Sequence, residues 1–330
     1  MNVEQYLASM QRNHRHVWER LDLRDERVSA ASRWLNTPTE FDDEGLGRGA
    51  AYRRAQTEGT ARREGITTLL RYLGVGLGGK NTMTLDVLGG DGLIARNWLV
   101  SSNIANHTRI PVITGDLSGQ MVHAALGAGL PAVRQPAQHL FLKDCCLDGV
   151  VIAYGTHHIP RSERPMACLE ALRVLHSGGR LVLHDYEEGS PVAQWFEEVV
   201  HKYSLAGHPY EHFTATEMTG YLRQCGFVDV GVERVYDPFR IWRTDERLAI
   251  TDLLRYVFDM YGLCLLSDEC KNEAETMARL QELLERCFRY DSSDRPFSTV
   301  WPRCLDLRRD GDGFVAELPR IALVATGSKL

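Results

Sequence analysis

Residues 85–92 have the sequence LDVLGGDG, and the helix-like run LIARNWL follows at 93–99. The apolar residues at 82–88 predict a strand, so the chain passes from a strand through a glycine turn into a helix. Glycines let a ligand approach the backbone closely, and the first turn of a helix offers free N–H groups. This junction therefore predicts a binding site for an anion or a nucleoside. The turn lacks the G-x-G-x-x-G spacing of dinucleotide-binding enzymes.

Short apolar runs alternate with helical patterns from residue 82 onward, which predicts parallel β-α-β units. The runs at 149–154 and 180–184 are apolar throughout, as expected of strands that are covered on both faces. Valines at 228, 230 and 232 alternate with Asp, Gly and Glu, which predicts a half-exposed strand. Further strands are predicted at 110–114, 132–134 and 321–325.

The chain is predicted to have three parts. Residues 1–80 form an N-terminal helical cap, 81–240 together with 314–330 form the core, and 241–313 form a mainly helical insertion. Apolar residues at helical spacing predict two amphipathic helices in the insertion, at 245–262 and 268–289, with Ser267 as the N-cap of the second. The insertion is either an additional packing layer or a lid or dimer element, because such apolar stripes report only burial.

Composition and charge restrict the class of partner. The 330 residues are 44% hydrophobic and 25% charged, with a net charge of −6 and no basic stripe, which disfavours nucleic acid as a partner. No apolar run of 18 residues occurs, and the polar N-terminus lacks the apolar region of a signal peptide, so we expect a cytoplasmic protein without a membrane partner. The eight cysteines form no C-x-x-C motif and are expected to be buried small hydrophobic residues.

Asp116 follows the second predicted strand. A carboxylate at this position can accept hydrogen bonds from both hydroxyls of a ribose. The alternative is the N-cap of the following helix, a role that Ser118 could share.

A series of motifs over residues 82–235 resembles class I S-adenosylmethionine-dependent methyltransferases. DVLGGDG at 86–92 is similar to their D-x-G-x-G-x-G turn, and GDLSGQM at 115–121 is similar to their G-x-D-x-S-x-x-M segment. QPAQHLFLKDCCLD at 135–148 is similar to their G-D-A-x-x-L-P-F…F-D stretch. GTHHI at 155–159, RVLHSGGRL at 173–181 and CGF at 225–227 are similar to their x-x-H-H-[IL], R-V-L-K-P-G-G-x-L and A-G-F motifs.

The resemblance implies an α/β, Rossmann-like fold. Its sheet would have seven mostly parallel strands with helices on both faces, and residues 321–325 would be the antiparallel seventh strand. The implied cofactor is S-adenosyl-L-methionine, with S-adenosyl-L-homocysteine as product. Two positions depart from the family pattern, because Leu88 replaces the first turn glycine and Pro136 replaces the acidic residue that accepts from the adenine amine. The implied cofactor-binding residues are Asp86, Leu88, Gly89, Gly90, Gly92, Asp116, Leu117, Met121, Ala137, Gln138 and Tyr154.

Eight of the twelve histidines fall within residues 139–212, and several follow predicted strand ends, where open α/β sheets do their chemistry. An imidazole is well suited to move a proton near neutral pH. The predicted catalytic residues are His157, His158, His184, His208 and His212. No local zinc signature occurs, so no metal is predicted. The alternative is a metal bound by His184, Asp185, His208 and His212, which would suit an acceptor with an enolisable carbonyl.

The predicted function is methyl transfer from S-adenosylmethionine to a small-molecule acceptor in specialised metabolism, with a homodimer as a possible assembly. One alternative is a cyclase or isomerase that uses the methyltransferase fold. Another is a non-catalytic partner subunit.

Overall fold

The computed structural model describes residues 3–42, 48–74, 83–101, 111–291 and 301–330. The predicted glycine-rich break at 74–81 lies outside the described residues from 75 onward, as do the first residues of the strands predicted at 82–88 and 110–114. The N-terminal part is helical, as predicted. Its helices are α1 (Val3–Asn13), α2 (Arg15–Trp18), α3 (Asp25–Ala30), α4 (Ser32–Leu35), α5 (Gly49–Gln56) and α6 (Arg63–Tyr72).

The described residues after the N-terminal cap contain ten strands in two sheets. The first six are β1 (Thr84–Asp86), β2 (Val112–Asp116), β3 (Ala132–Arg134), β4 (Leu147–Ile152), β5 (Leu175–Asp185) and β6 (Val228–Tyr236). The last four are β7 (Phe239–Arg243), β8 (Asp306–Asp310), β9 (Gly313–Leu318) and β10 (Ile321–Ser328).

The larger sheet has seven strands in the order β3-β2-β1-β4-β5-β10-β6. Strands β1 to β5 pair in parallel, and β10 lies antiparallel between β5 and β6. The predicted seven-stranded, mostly parallel sheet is therefore confirmed, including its antiparallel last strand. β4 and β10 are fully or almost fully buried, since both faces of the sheet are covered by helices, whereas exposed and half-buried residues alternate along β6 at the edge.

Helices connect the strands and place the ligand-binding turns at one edge of the sheet. The Ser118 hydroxyl accepts a hydrogen bond from the Met121 N–H, so Ser118 is the N-cap of the helix Gly119–Gly127 (α8) and Asp116 is not. The helices after the cap are α7 (Leu93–Ser101), α8 (Gly119–Gly127), α9 (Arg164–Val174), α10 (Pro191–Trp195), α11 (His201–Tyr203), α12 (Ala215–Cys225), α13 (Glu246–Tyr261) and α14 (Glu273–Cys287).

The insertion contains both predicted helices, but the second helix begins later than predicted, and the region also contains strands. Ser267 lies in a 3₁₀ turn at Cys264–Glu269, and the N-cap of α14 is Asn272, whose side chain accepts from the Glu275 N–H. The prediction of Ser267 as N-cap was therefore wrong. An asparagine after the short turn satisfies the free N–H groups of the longer helix instead.

A second, antiparallel sheet was not predicted. It has the strand order β7-β9-β8 and takes up both ends of the region predicted as a mainly helical insertion. β8 has the charged sequence DLRRD, which gives no apolar alternation to mark a strand. Its Arg308 instead pairs with Glu317 of β9, whose side chain is fully buried and also pairs with Arg240 of β7. Ion pairs between strands thus replace the apolar pattern.

Candidate active site

A cavity of about 550 Å³ opens at the carboxyl ends of the parallel strands. Its walls come from the turns after β1, β2 and β4, from the N-terminal cap, and from the insertion. This is the position at which open α/β sheets bind ligands. Trp34 and Phe41 of the cap and Met260 and Tyr261 of the insertion line the cavity. The insertion therefore contributes to the wall as well as packing on α5 and the second sheet.

Asp116 is the central polar residue at the cofactor end of the cavity. One carboxylate oxygen accepts from the Gly90 N–H at 2.9 Å, and the other accepts from the Ser118 N–H at 2.8 Å. Burial raises the pKa of Asp116 to about 6, although these backbone hydrogen bonds act in the opposite direction. Gly90 has a φ of +57°, a conformation that glycine adopts without strain.

The structure gathers eight of the eleven predicted cofactor-binding residues around this one cavity. They are Leu88, Gly90, Asp116, Leu117, Met121, Ala137, Gln138 and Tyr154.

The other three do not line the cavity; they are Asp86, Gly89 and Gly92. They contribute to the close packing of the turn after β1. A Cβ atom at Gly89 would lie 2.8 Å from the Thr114 methyl group and 2.9 Å from an Asp86 carboxylate oxygen. Gly92 has a φ of +93°, and a Cβ there would lie 2.2 Å from Leu130. Asp86 is 2% exposed, and burial raises the pKa of its carboxyl well above the usual range.

Gln138 lies two residues after Pro136, where the sequence departs from the family pattern, and it belongs to a hydrogen-bonded group with two side chains from outside the predicted motif. The Gln138 amide donates to Glu163 at 2.7 Å, and the Trp34 indole N–H donates to the same Glu163 oxygen at 2.9 Å. All three residues line the cavity. No motif indicated Trp34 or Glu163, because Trp34 lies in a helix of the cap and Glu163 lies in a turn outside the predicted motifs.

Two of the five predicted catalytic histidines, His157 and His158, line the cavity. His157 Nδ1 lies 2.9 Å from Asp185, and its backbone N–H donates to the same carboxylate at 2.7 Å. Burial lowers the pKa of His157 and lowers that of His158 well below its usual range, so both rings are neutral at pH 7. Although burial opposes it, the imidazole of His157 helps to hold the pKa of Asp185 well below its usual range.

The other three predicted histidines lie behind the wall of the cavity. His184 contacts the Tyr154 ring, with centroids 4.5 Å apart, and its Nε2 is 3.6 Å from Asp237. His208 stacks on Phe196 at a centroid distance of 4.2 Å, and His212 Nδ1 is 3.4 Å from Asp185. The structure therefore places these three side chains in a second layer and not at the cavity surface, where we expected them.

The metal set considered from the sequence, with His184 as a member, is not brought together among the described residues. Two other groups have possible ligand atoms within 4.8 Å of one another: His157 with His158 and His208, and His157 with Asp185 and His212.

Two buried arginines were missed by the sequence analysis. Arg320 is 1% exposed and pairs with Asp237 at 2.6 Å. Arg62 is 5% exposed, lines the same cavity, and lies over the Tyr154 ring with its guanidinium carbon 4.8 Å from the centroid. Arginines in polar stretches are usually solvated, so the sequence does not predict that these two are buried. Their burial follows from the way the connections that carry Arg62, Asp237 and Arg320 pack together.

Residues 85–183 match a family model described as a methyltransferase domain. The ubiquinone/menaquinone biosynthesis C-methyltransferase UbiE of Rhizobium etli (strain CIAT 652) is 34% identical over 108 residues, which are 32% of this chain and 41% of that relative. UbiE of Brucella anthropi is 30% identical over 109 residues, with 32% and 41% covered. The chain thus spans about two fifths of the length of these curated relatives.

Residues 85–183 are a domain of the class I S-adenosylmethionine-dependent methyltransferase family. The methyltransferase domain holds most of β1 and β5, all of β2, β3 and β4, and all eight of the predicted cofactor-binding residues that line the cavity. A solved structure of phosphoethanolamine N-methyltransferase 2 of Haemonchus contortus, in complex with S-adenosyl-L-methionine, superimposes with a TM-score of 0.50 at 14% identity. The superposition covers 89% of this chain and 60% of that chain. At 14% identity it indicates a shared fold only. The predicted fold is confirmed, and the predicted family is confirmed for residues 85–183.

Proposed function

We propose that the protein transfers the methyl group of S-adenosylmethionine to a small-molecule acceptor, in a reaction of specialised metabolism. The observation that carries the proposal is the cavity, because residues of the predicted cofactor-binding motifs and two neutral histidines line it together. The curated relatives are named for ubiquinone and menaquinone biosynthesis. Their similarity covers about a third of this chain, whereas the cap and the insertion that complete the cavity lie outside the matched domain.

The residues present fit the cofactor. The Asp116 carboxylate is enclosed, is held by two backbone N–H groups and lines the cavity, as a group that accepts from ribose hydroxyls must. Gly90 leaves its backbone open to a close approach, and Leu117, Met121 and Ala137 provide apolar walls for a nucleoside. When bound, the cofactor supplies an electrophilic methyl group on a positively charged sulfur.

His157 and His158 are placed to accept a proton from the acceptor. Their neutral rings have the protonation state that a base requires, and the hydrogen bond from His157 to Asp185 fixes the orientation of that ring. Phe196, Tyr210 and Tyr261 complete an aromatic wall that excludes water from the acceptor. A well-placed base contributes about 10²–10⁴ in rate.

The test is a calorimetric titration of the untagged protein with S-adenosylmethionine, followed by a turnover assay. A library of phenols, amines, thiols and enolisable carbonyl compounds would be screened for formation of S-adenosylhomocysteine by mass spectrometry. We expect binding, and turnover with at least one acceptor class. A protein that does not bind the cofactor contradicts the proposal, and one that binds it but alters an acceptor without forming S-adenosylhomocysteine is a cyclase or isomerase.

A further inference from the structure

The acceptor end of the cavity carries an uncompensated positive charge. Arg320 is neutralised by Asp237, with an N–O distance of 2.6 Å between two side chains that are each 1% exposed. Within the described ranges of the chain, no carboxylate lies within 4.0 Å of Arg62. Its Nε atom is buried and has no hydrogen-bond partner there either. A guanidinium does not lose its proton in a protein, so this charge persists.

The surroundings of Arg62 cannot stabilise a cation fully on their own. Its Nη2 contacts the Met260 sulfur at 2.7 Å, and its plane lies over the rings of Tyr154 and Phe239, at 4.8 and 5.4 Å. Two cation–π contacts offset only part of the penalty for burying an unpaired ion. A side chain retained at this cost, in the wall of a ligand cavity, indicates that the missing partner arrives with a ligand.

We propose that Arg62 binds a carboxylate group of the acceptor. The identity of this ligand as the methyl acceptor rests on the proposed function. The anion site itself does not depend on methyl transfer. The planar guanidinium matches a carboxylate in a two-point contact. The ring systems of Tyr52, Tyr154 and Tyr186 beside it line the cavity and provide flat apolar surface for the rest of the molecule. The single unpaired charge fits a monoanion better than a phosphate dianion, because Arg320 is already paired.

The first experiment measures the thermal unfolding midpoint of the untagged protein and two variants without ligand. Arg62→Met replaces the cation by an apolar chain of similar length, and Arg63→Gln is the matched control, because Arg63 is the exposed neighbour. We expect the midpoint of Arg62→Met to rise by several degrees and that of Arg63→Gln to stay unchanged. A clear fall for Arg62→Met indicates that the guanidinium has a structural partner, and overturns the proposal.

The second experiment measures ligand binding with matched probes. Benzoate, 3-phenylpropionate and phenylpyruvate are titrated against their primary amides by ligand-observed NMR and thermal shift, with S-adenosylhomocysteine present, and inorganic phosphate is a separate arm. We expect at least one acid to bind ten-fold or more tightly than its amide, and Arg62→Met and Arg62→Gln to abolish that preference while Arg63→Gln keeps it.

Equal binding of acids and amides, no acid binding below about 10 mM, or an acid preference that survives Arg62→Met each overturns the proposal. Tighter binding of phosphate than of every carboxylate also overturns it. Cofactor affinity is measured separately by calorimetry in the same three proteins. If S-adenosylmethionine fails to bind while the carboxylate preference holds, the proposed methyl transfer fails and the anion site stands.

Discussion

At the scale of single residues, Asp116 is the side chain on which we propose that cofactor binding depends most directly. Its carboxylate is held by the N–H groups of Gly90 and Ser118, so both oxygens are fixed in place before a ligand arrives. Preorganisation of this kind lowers the entropy that binding costs. The motif that contains Asp116 is local, which is why the sequence alone could single out this residue of the cavity wall.

We expect Asp116→Ala to weaken S-adenosylmethionine binding by about 1.5–3 kcal/mol, which is the range for hydrogen bonds to a charged group. Calorimetry measures the change. Asp312→Ala is the control, because Asp312 is exposed in the turn between β8 and β9 and lies outside the cavity wall. Unchanged affinity in Asp116→Ala would show that the ribose does not bind this carboxylate.

The pKa of Asp116, about 6, predicts a pH dependence of cofactor affinity. The ionised carboxylate accepts hydrogen bonds from hydroxyl groups more strongly than the protonated carboxyl group does, so protons compete with the cofactor below pH 6. Between pH 7 and pH 5 the dissociation constant should rise by roughly ten-fold, following the fraction of ionised Asp116. Asp116→Asn should bind more weakly and without this slope. An equally steep slope in the asparagine variant would assign the titration to another group.

The histidines give a further prediction at this scale, which concerns metal removal. We expect dialysis against a chelator to leave turnover unchanged, because neutral imidazoles transfer protons without a cation. His157→Asn and His158→Asn should lower kcat, while the exposed His176→Asn should not. Loss of activity in chelator, with recovery on addition of Zn²⁺ or Co²⁺, would instead indicate a metal on the cluster of His157, His158 and His208.

At the scale of elements, the connections rather than the strands assemble the part of the cavity that contains Arg62 and Arg320. Arg62 lies in the turn before α6, Asp237 joins β6 to β7, and Arg320 joins β9 to β10. These residues are far apart along the chain, so no motif or period links them. The strands were predictable because apolar runs and β-propensity are local properties, whereas the pairing of buried charges depends on the tertiary fold.

Gly65 shows how closely α6 packs on this cluster. A Cβ atom at Gly65 would lie 1.7 Å from an Asp237 carboxylate oxygen and 2.8 Å from the Tyr154 hydroxyl. We expect Gly65→Ala to lower the free energy of unfolding by about 1–3 kcal/mol, as overpacking does, because Asp237 must move away from Arg320. Urea denaturation measures this change.

Gly220 provides the matched control for Gly65, since it lies within α12 and a Cβ atom there would meet no atom within 4 Å. Gly220→Ala should therefore stabilise the protein by about 0.5–1 kcal/mol through helix propensity alone. Equal stabilisation by both substitutions would contradict the packing that we describe around Asp237.

At the scale of the whole molecule, the cap, the methyltransferase domain and the insertion share one cavity, although the family model covers residues 85–183 and therefore neither the cap nor the insertion. The cap was predicted to be helical, but its contribution to the cavity was not, because helical stripes do not indicate what they cover. Among the described residues, no helix combines the length and the apolar character that crossing a bilayer requires.

The net charge of −6 leads to a prediction for the whole surface. Binding to transfer RNA or duplex DNA should be weak at physiological salt, because few phosphates can be neutralised and few counterions released. Fluorescence anisotropy with labelled RNA and DNA, at 50 and 200 mM salt, measures this. A tight complex with a steep salt dependence would contradict a small-molecule acceptor.

The position of β10 has a consequence for synthesis on the ribosome. This strand fills the gap between β5 and β6, yet residues 321–328 are translated after every other strand of the sheet. Until they emerge, the growing chain carries an open edge on β5, and β6 has no neighbour in the sheet. Unpaired edges recruit other strands, including those of neighbouring nascent chains. During translation, the edge of β5 is therefore open until β10 emerges, and a chaperone that covers it would prevent such pairing.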